Sequence, residues 1–201
     1  MKIIGVSCSP RSGQSTHFAL QACLESAAQA SDTVKTELID LGKLTVNGCL
    51  ACGKCTKEPV CPQKDDFMDL VPKLLDPDLA GLIIATPVYF GSMTSQAKAF
   101  LDRCVLVRRN GAKFRNVVGG VIAVGGFRHG GQETTIHAVH GAMLIQDMII
   151  VGDGNTTFHF GGTVWSGHPD GYKLDTFGLD TVKNLGKRVA GVAALVHSRK
   201  E

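Results

Sequence analysis

Short apolar runs alternate with helix-like stretches along the chain, and this alternation restricts the possible folds more than any other feature. The runs cover residues 2–7, 34–41, 81–86, 117–124 and 148–152, and helical periodicity covers residues 15–29, 67–75, 94–107, 131–146 and 179–197. Strands that are apolar along most of their length are typical of a parallel sheet buried on both faces. Because crossovers in such sheets are right-handed, the sequence predicts an α/β fold with a doubly wound, five-stranded parallel sheet and helices on both faces.

Two regions depart from this alternation. Residues 47–65 form a cysteine-rich loop, and residues 153–175 form an irregular segment rich in glycine, threonine and histidine. Connections of that length without regular structure are usually functional or belong to an interface. We therefore expect one domain over residues 1–201 in which these two segments carry specific roles.

Charge and hydropathy exclude several classes of protein. A formal net charge of +3 is too small to indicate nucleic acid or an anionic membrane as a partner. No window reaches the roughly 18 apolar residues of a membrane span, and the first apolar run is too short for a signal peptide. The expected location is the cytoplasm.

Ligands of doubly wound sheets bind at the carboxyl ends of the strands, which directs attention to three loops. The first loop, residues 7–16, places several hydroxyls and Arg11 before a predicted helix. A helix N-terminus favours an anion, and an arginine adds a bidentate charge. Neither a Gly-x-Gly-x-x-Gly fingerprint nor a P-loop is present, so a phosphate monoester is favoured over a pyrophosphate. An ordinary helix N-cap is the alternative.

The loops after the third and fourth strands have the composition of a site for a flat ligand. Residues 86–93 contain a proline, two aromatics and a glycine, and residues 125–133 contain four glycines with an arginine and a glutamine. Aromatic rings pack on planar rings, and glycines let the backbone approach closely. An aromatic cluster at the edge of the core and a simple mobile loop remain the alternatives.

These loops carry a family resemblance that covers residues 1–153. Ser9-Pro10-Arg11 with Ser15-Thr16, the run Pro87 to Met93, the run Lys98 to Arg103, and Gly130-Gly131-Gln132-Glu133 resemble the NADPH-dependent FMN reductase family of flavodoxin-like proteins. The resemblance implies FMN as the cofactor and a flavodoxin-like sheet. One departure is Cys8, where related proteins often carry glycine, and it is expected to crowd the loop slightly.

The same resemblance implies which residues bind FMN. The phosphate would be held by Ser9, Arg11, Gln14, Ser15 and Thr16. The isoalloxazine would be lined by Pro87, Val88, Tyr89, Phe90, Gly91, Ser92 and Met93, and its other edge would be covered by the loop 126–132, with Gly126, Arg128, Gly131 and Gln132 as contacts. No side chain is predicted to act as a catalytic acid or base, because the flavin supplies the chemistry.

Four cysteines crowd into the loop 47–65: Cys49, Cys52, Cys55 and Cys61. Two-residue gaps allow three thiolates to face one iron–sulfur cube. The spacing resembles the compact motif of iron–sulfur flavoproteins, a branch of the same superfamily, and this implies a [4Fe-4S] cluster on these four ligands. Zinc, a redox-active dithiol or an empty site remain open. Nearby Lys54, Lys57 and Lys64 are expected to stabilise the thiolates.

The resulting functional hypothesis is an FMN-dependent oxidoreductase that passes electrons through a [4Fe-4S] cluster to a protein carrier such as ferredoxin. The alternative is an NAD(P)H-dependent reductase of FMN, quinone or another small-molecule acceptor without a cluster, and the choice between NADH and NADPH stays open. A flavin-based sensor is a weaker third interpretation. We expect a homodimer or homotetramer. Residues 153–175 are a candidate interface segment, and a plain surface loop is the alternative. His137 and His140, three residues apart on a predicted helix, form a weak candidate metal pair.

Overall fold

The computed structural model describes residues 1–197, and the last four residues of the predicted domain, 198–201, lie outside the described part. The strands are β1 (Lys2–Ser7), β2 (Lys35–Asp40), β3 (Leu79–Pro87), β4 (Val118–Gly125), β5 (Ile149–Ile150) and β6 (Gly162–Trp165). The helices are α1 (Ser15–Ala28), α2 (Phe67–Leu74), α3 (Ser95–Arg103), α4 (Val105–Arg109), α5 (Gln132–Leu144) and α6 (Thr176–His197). None of these helices in residues 1–197 is long and apolar enough to cross a membrane.

The strands pair in the order β2-β1-β3-β4-β5, and every pairing is parallel. The chain therefore winds from β1 outward to β2, returns across β1 to β3, and continues to the other edge. The predicted flavodoxin-like, doubly wound fold is confirmed.

The fifth strand position differs from the prediction of one strand at residues 148–152. β5 pairs with Val118 and Gly119 at the start of β4, whereas β6 pairs with the end of β4, from Ile122 to Gly125. Because the opposite edge of β4 is occupied by β3, the two short strands share one edge. Part of the segment predicted to be irregular, 153–175, therefore forms β6 and completes the sheet, and residues 151–161 connect β5 to β6.

Alternating strand residues face two separate cores. Ile4, Ile84 and Val121 pack with α2, α3, α4 and α5 on one face, and Ile3, Ile83 and Ile122 pack with α1 and α6 on the other. The helices α1 and α6 approach closely, since a Cβ at Gly186 would lie 2.2 Å from the carbonyl oxygen of Cys23. Cys23 and Cys104 are buried in these cores.

Two predicted helices differ in detail. The stretch 94–107 forms two helices that meet at Cys104. α2 contains Pro72 inside its length and ends at Leu74, one residue before the predicted bound.

Candidate functional site

The first loop joins β1 to α1 and leaves the N-terminus of that helix open. Ser9 is buried, and its hydroxyl accepts a hydrogen bond of 3.1 Å from the backbone N–H of Arg11. Gln14 is the N-cap residue and makes no capping bond with its side chain to any described residue, and the first turn holds no acidic residue. Ser15 and Thr16, the first residues of the helix, are buried beneath the loop. An uncapped helix N-terminus without a carboxylate suits an anion such as a phosphate.

Cys8 does not crowd this loop. It is fully buried, and its thiol lies 3.7 Å from the carbonyl oxygen of Val6. Burial raises the pKa of Cys8 far above that of a free thiol, so the side chain is a neutral core group. The hydroxyl of its neighbour Ser7 is buried and makes no hydrogen bond within residues 1–197.

Asp40, at the end of β2, fixes the first loop from the side, and sequence reasoning missed it. Its carboxylate accepts hydrogen bonds from the hydroxyl of Ser12 at 2.6 Å and from the backbone N–H of Gly42 at 3.1 Å. His17 Nδ1 lies 3.2 Å from the same carboxylate. The position of Asp40 at the carboxyl end of a predicted strand was the signal in the sequence that could have indicated this role.

The third-strand loop makes a tight turn that presents two aromatic side chains to solvent. Tyr89 and Ser92 exchange backbone hydrogen bonds of 2.9 and 3.1 Å. Phe90 and Gly91 between them have φ of 51° and 72°. These values are those of a tight hairpin turn with two left-handed residues, a conformation that phenylalanine rarely adopts. Phe90 is fully exposed, so this turn does not form the alternative core-edge cluster.

Three contacts hold the loops at the carboxyl edge of the sheet together. Thr94 caps α3 and donates a hydrogen bond of 2.7 Å to the carbonyl oxygen of Cys8. Thr134 donates one of 2.8 Å to the carbonyl oxygen of Gly91. Gly131 has φ of +95°, and a Cβ there would lie 3.1 Å from the Cα of Gly91. The predicted phosphate loop and the two predicted flavin loops are therefore in contact with one another at one edge of the sheet.

Within the predicted flavin segment, the remaining residues connect the turn to the sheet. The half-buried Pro87 ends β3, and the backbone N–H of Val88 donates to the carbonyl oxygen of Val124 at 2.9 Å. Met93 is half-buried and packs against the core on the α3 side. The segment is thus anchored at both ends, with its turn projecting outward.

The fourth-strand loop is tied to the segment that was predicted to be irregular. Arg128 pairs with the buried Asp175 and lies over the ring of Trp165. The carbonyl oxygen of Gly126 accepts a hydrogen bond of 2.9 Å from Trp165 Nε1. Gln132 is buried and donates to Phe127 at 2.6 Å. The side chains of Arg128 and Gln132 therefore serve to shape this loop, so it is not a simple mobile connection.

The pKa of Asp175 follows from these contacts. Burial raises the pKa, but hydrogen bonds from Arg128 and from the backbone N–H groups of Trp165 and Gly178 outweigh burial and hold it below its usual range. An ionised Asp175 thus joins the fourth-strand loop, β6 and the start of α6.

All four clustered cysteines line one cavity beside α3 and α4. Cys55 is 9% exposed, Cys61 is half-buried, and Cys49 and Cys52 are exposed. No three His, Cys, Asp or Glu side chains of residues 1–197 converge closely enough to bind a metal as they stand. Four thiols around one cavity are nevertheless the donor set of an iron–sulfur cluster, so the chemistry of the site fits that group.

Arginines supply the positive charge at this cavity. Arg103, at the end of α3, and Arg109, at the end of α4, both line it. Lys54, Lys57 and Lys64, which were expected around the thiolates, are exposed and do not line the cavity. The lysines belong to the loop itself, whereas the buried Arg103 and the exposed Arg109 contact the loop from α3 and α4. Sequence reasoning missed both arginines.

Arg103 also anchors the loop 47–65. Its guanidinium is 2% exposed and donates to both carboxylate oxygens of Asp65, at 2.7 and 3.1 Å, and to the carbonyl oxygen of Asn47 at 3.0 Å. Asn47 and Asp65 are the two ends of the loop, so one buried side chain fixes both. The position of Arg103, three residues after Phe100 on the apolar face of a predicted helix, was the available indication.

His137 and His140 meet on α5 with ring centroids 6.1 Å apart. Burial and the neighbouring His137 lower the pKa of His140 to about 4, so this imidazole is neutral at physiological pH. No third ligand joins them within residues 1–197.

Comparisons with known proteins agree with this architecture. Residues 1–163 match the family described as NADPH-dependent FMN reductase. An iron-sulfur flavoprotein of Methanocaldococcus jannaschii is 42% identical over 196 residues, which cover 98% of this chain and 99% of that protein. An iron-sulfur flavoprotein of Methanosarcina thermophila is 38% identical over 201 residues, which cover 100% of both.

A solved structure shows the same fold. The flavodoxin-type, WrbA-like protein of Agrobacterium tumefaciens matches with a TM-score of 0.66 and 20% identity, covering 96% of this chain and 98% of that chain. Together with the matches in sequence, this similarity identifies the chain as a flavodoxin-like FMN flavoprotein and an oxidoreductase, which belongs to the NADPH-dependent FMN reductase family and to its iron–sulfur flavoprotein branch.

Proposed function

We propose that this protein is an electron-transfer flavoprotein in which Cys49, Cys52, Cys55 and Cys61 hold a [4Fe-4S] cluster that exchanges electrons with a ferredoxin-like carrier. The observation that carries the proposal is the meeting of all four thiols at one cavity with two arginines. When bound, FMN accepts electrons in pairs and releases them singly, and the cluster carries single electrons.

The chain's own residues bind and orient FMN. In this proposal, the open N-terminus of α1, with Ser9, Arg11, Gln14, Ser15 and Thr16 around it, holds the phosphate. The seven residues from Pro87 to Met93 line the ring on one side, with Phe90 excluding water from its face. The backbone of Gly126 and Gly131 approaches the other edge, while Arg128 and Gln132 keep that loop in shape.

The surface around the cysteine loop supports an acidic protein partner. Cys49 and Cys52 are exposed, which leaves a short path for an electron from the cavity to a docked carrier. Lys54, Lys57 and Lys64 are exposed on the same loop. A positive rim of this kind attracts a negatively charged carrier and speeds its association at low ionic strength.

Electron donors test the proposal directly. Bleaching of the bound flavin is followed anaerobically after mixing with NADPH, NADH or chemically reduced ferredoxin. We expect fast bleaching by ferredoxin that slows as salt is raised, and slow bleaching by both nicotinamides. Fast bleaching by NADPH with none by ferredoxin would contradict the carrier role.

A second candidate is an NAD(P)H-dependent reductase of FMN, quinone or another small acceptor. The observation in its favour is the matched family itself, which is described as NADPH-dependent. This candidate predicts multiple turnovers with NADPH and a quinone, and it predicts that replacing Cys52 by serine leaves the turnover rate unchanged.

We also propose that the protein is a homodimer or homotetramer. The support is a group of exposed apolar side chains on α5, the segment 151–161 and the start of α6: Leu144, Ile145, Phe160 and Phe177. Exposed apolar side chains that form a patch are common at interfaces between subunits. Light scattering after gel filtration measures the mass, and a monomer at micromolar concentration would contradict the proposal.

A further inference from the structure

The end of α4 contacts the cysteine loop at one ligand, Cys55. Asn110 Nδ2 donates hydrogen bonds to the carbonyl oxygens of Cys55 at 3.0 Å and of Leu106 at 2.7 Å. Arg109 Nη1 donates to Cys55 Sγ at 3.5 Å. Two successive residues therefore fix both the backbone and the sulfur of the most buried of the four cysteines.

The charge of Arg109 is not neutralised by a carboxylate. Arg103, the other arginine at the cavity, forms a buried ion pair with Asp65. Within residues 1–197 no ion pair involves Arg109. Its positive charge therefore acts on Cys55 without a compensating negative group at contact distance.

Hydrogen bonds and positive charge at the sulfurs of a cluster favour its more negatively charged, reduced form. A guanidinium keeps its charge at every accessible pH and directs its N–H groups in a fixed plane. Cys49 accepts an N–H bond from Ala51 at 3.4 Å, but that donor is neutral and lies within the loop. Arg103 also contacts one of the four cysteines, Cys61, but its charge is balanced by Asp65. Among the described residues, Arg109 is thus the charged donor to a cysteine of this loop that has no carboxylate partner.

We propose that Arg109 is a positioning residue that holds Cys55 and raises the reduction potential of the cluster. This inference rests on the proposed function, since it requires the cluster. Arg109 lies outside the cysteine motif. The reduction potential of the cluster would therefore depend on the contact between the end of α4 and Cys55.

The chain offers a matched control in the preceding residue. Arg108 is an exposed arginine on the same helix, and it does not line the cysteine cavity. Arg108→Gln and Arg109→Gln therefore remove the same charge from adjacent positions, and only the second removes the contact with Cys55. Arg109→Lys keeps the charge and loses the planar fork.

The test uses holoprotein purified without oxygen. Iron, acid-labile sulfide and FMN are measured per chain, and the midpoint potential of the cluster is determined by a redox titration that is followed by electron paramagnetic resonance. We expect Arg109→Gln to shift the midpoint to a more negative potential, Arg109→Lys to shift it less, and Arg108→Gln to leave it at the wild-type value. FMN content should be equal in all four proteins.

The outcomes separate the inference from the proposed function. An iron-loaded Arg109→Gln protein with the wild-type potential would overturn the inference and leave the cluster in place. Equal shifts in the Arg108 and Arg109 variants would also overturn it, because surface charge alone would then explain the effect. A lower iron content in Arg109→Gln than in wild type, with the full content in the other two variants, would support the positioning role. Wild-type protein that contains FMN without iron would overturn the proposed function, and with it this inference.

Discussion

Arg103 and Asp65 form a buried ion pair in which the guanidinium meets both carboxylate oxygens, at 2.7 and 3.1 Å. Asp65 also accepts a hydrogen bond of 2.9 Å from the backbone N–H of Asn47, at the other end of the cysteine loop. The guanidinium lies 4.5 Å from the centre of the Phe67 ring. The loop that carries the four cysteines is therefore closed at its base by one charged pair within an apolar core.

Removal of one partner of this pair should destabilise the protein strongly. Asp65→Asn leaves the guanidinium of Arg103 buried without its counter-charge, which costs about 3–5 kcal/mol of the free energy of unfolding. Urea unfolding at pH 7 measures the change. As a control, Asp102→Asn removes a carboxylate from an exposed ion pair with Lys98 and should cost less than about 1 kcal/mol. Equal effects of the two substitutions on the free energy of unfolding would contradict the stabilising role of the Arg103–Asp65 ion pair.

The Arg103–Asp65 pair should make the free energy of unfolding depend on pH in the acidic range. Burial raises the pKa of Asp65, but hydrogen bonds from Arg103 and from the backbone N–H groups of Asn47 and Phe67 outweigh burial and hold it below its usual range. The stabilisation is therefore complete above the ordinary carboxyl pKa of about 4 and is lost as the pH falls below that value. We expect the difference in unfolding free energy between wild type and Asp65→Asn to shrink as the pH falls from about 5 to about 2. A difference that stays constant over this range would contradict the assignment.

Phe90 should contribute to FMN binding at a cost in stability. Its φ of 51° is unfavourable for phenylalanine and acceptable for asparagine. Phe90→Asn should raise the unfolding free energy of the apoprotein by up to about 1 kcal/mol. It should also weaken FMN binding by roughly 2- to 10-fold through loss of the aromatic contact, as measured by flavin fluorescence.

Phe158 provides the matched control for this prediction. It is also exposed and has φ of 55°, but it lies in the segment 151–161. Phe158→Asn should give a similar gain in stability with unchanged FMN affinity. Unchanged affinity in both variants would remove Phe90 from the flavin site.

Replacement of Cys52 should separate the two cofactors. Because Cys52 is exposed, Cys52→Ser removes a ligand without leaving a cavity in the core. We expect the variant to lose most of its iron and sulfide and to keep FMN at the wild-type ratio. Cys23→Ala, at a buried thiol of α1 outside the cavity, should keep both. Full iron in Cys52→Ser would exclude this residue as a ligand.

The regular part of the fold was predictable from the sequence because the long strands are buried on both faces. β3 is buried up to its last residue and β4 is buried throughout, and α1 follows its predicted bounds to within one residue. β5 has only two residues and β6 has four, so neither carries a detectable period. Both strands pair with the edge of β4 that β3 leaves free. That edge exists only in the folded sheet, so the local sequence does not reveal the pairing.

The cysteines that share the cavity were predictable from the sequence, whereas the arginines that contact the loops of the site were not. The cysteine spacing is local, so the sequence indicated correctly which thiols share a cavity. Arg103 lies 38 positions from Asp65, and Arg109 lies 54 positions from Cys55. Contacts over such separations depend on how α3 and α4 pack against the loop, and no short motif records them. The role of Arg128 could not be predicted for the same reason, because its partner Asp175 is 47 positions away.

The cofactor content of protein purified without oxygen tests the central claim most directly. Iron, acid-labile sulfide and FMN are determined per chain together with the visible spectrum. The account predicts flavin bands on a broad brown absorption, with about four irons and four sulfides for each chain and bound FMN, as a single cube requires. Flavin bands without iron would contradict the cluster, and a protein that neither contains nor takes up FMN would contradict the account as a whole.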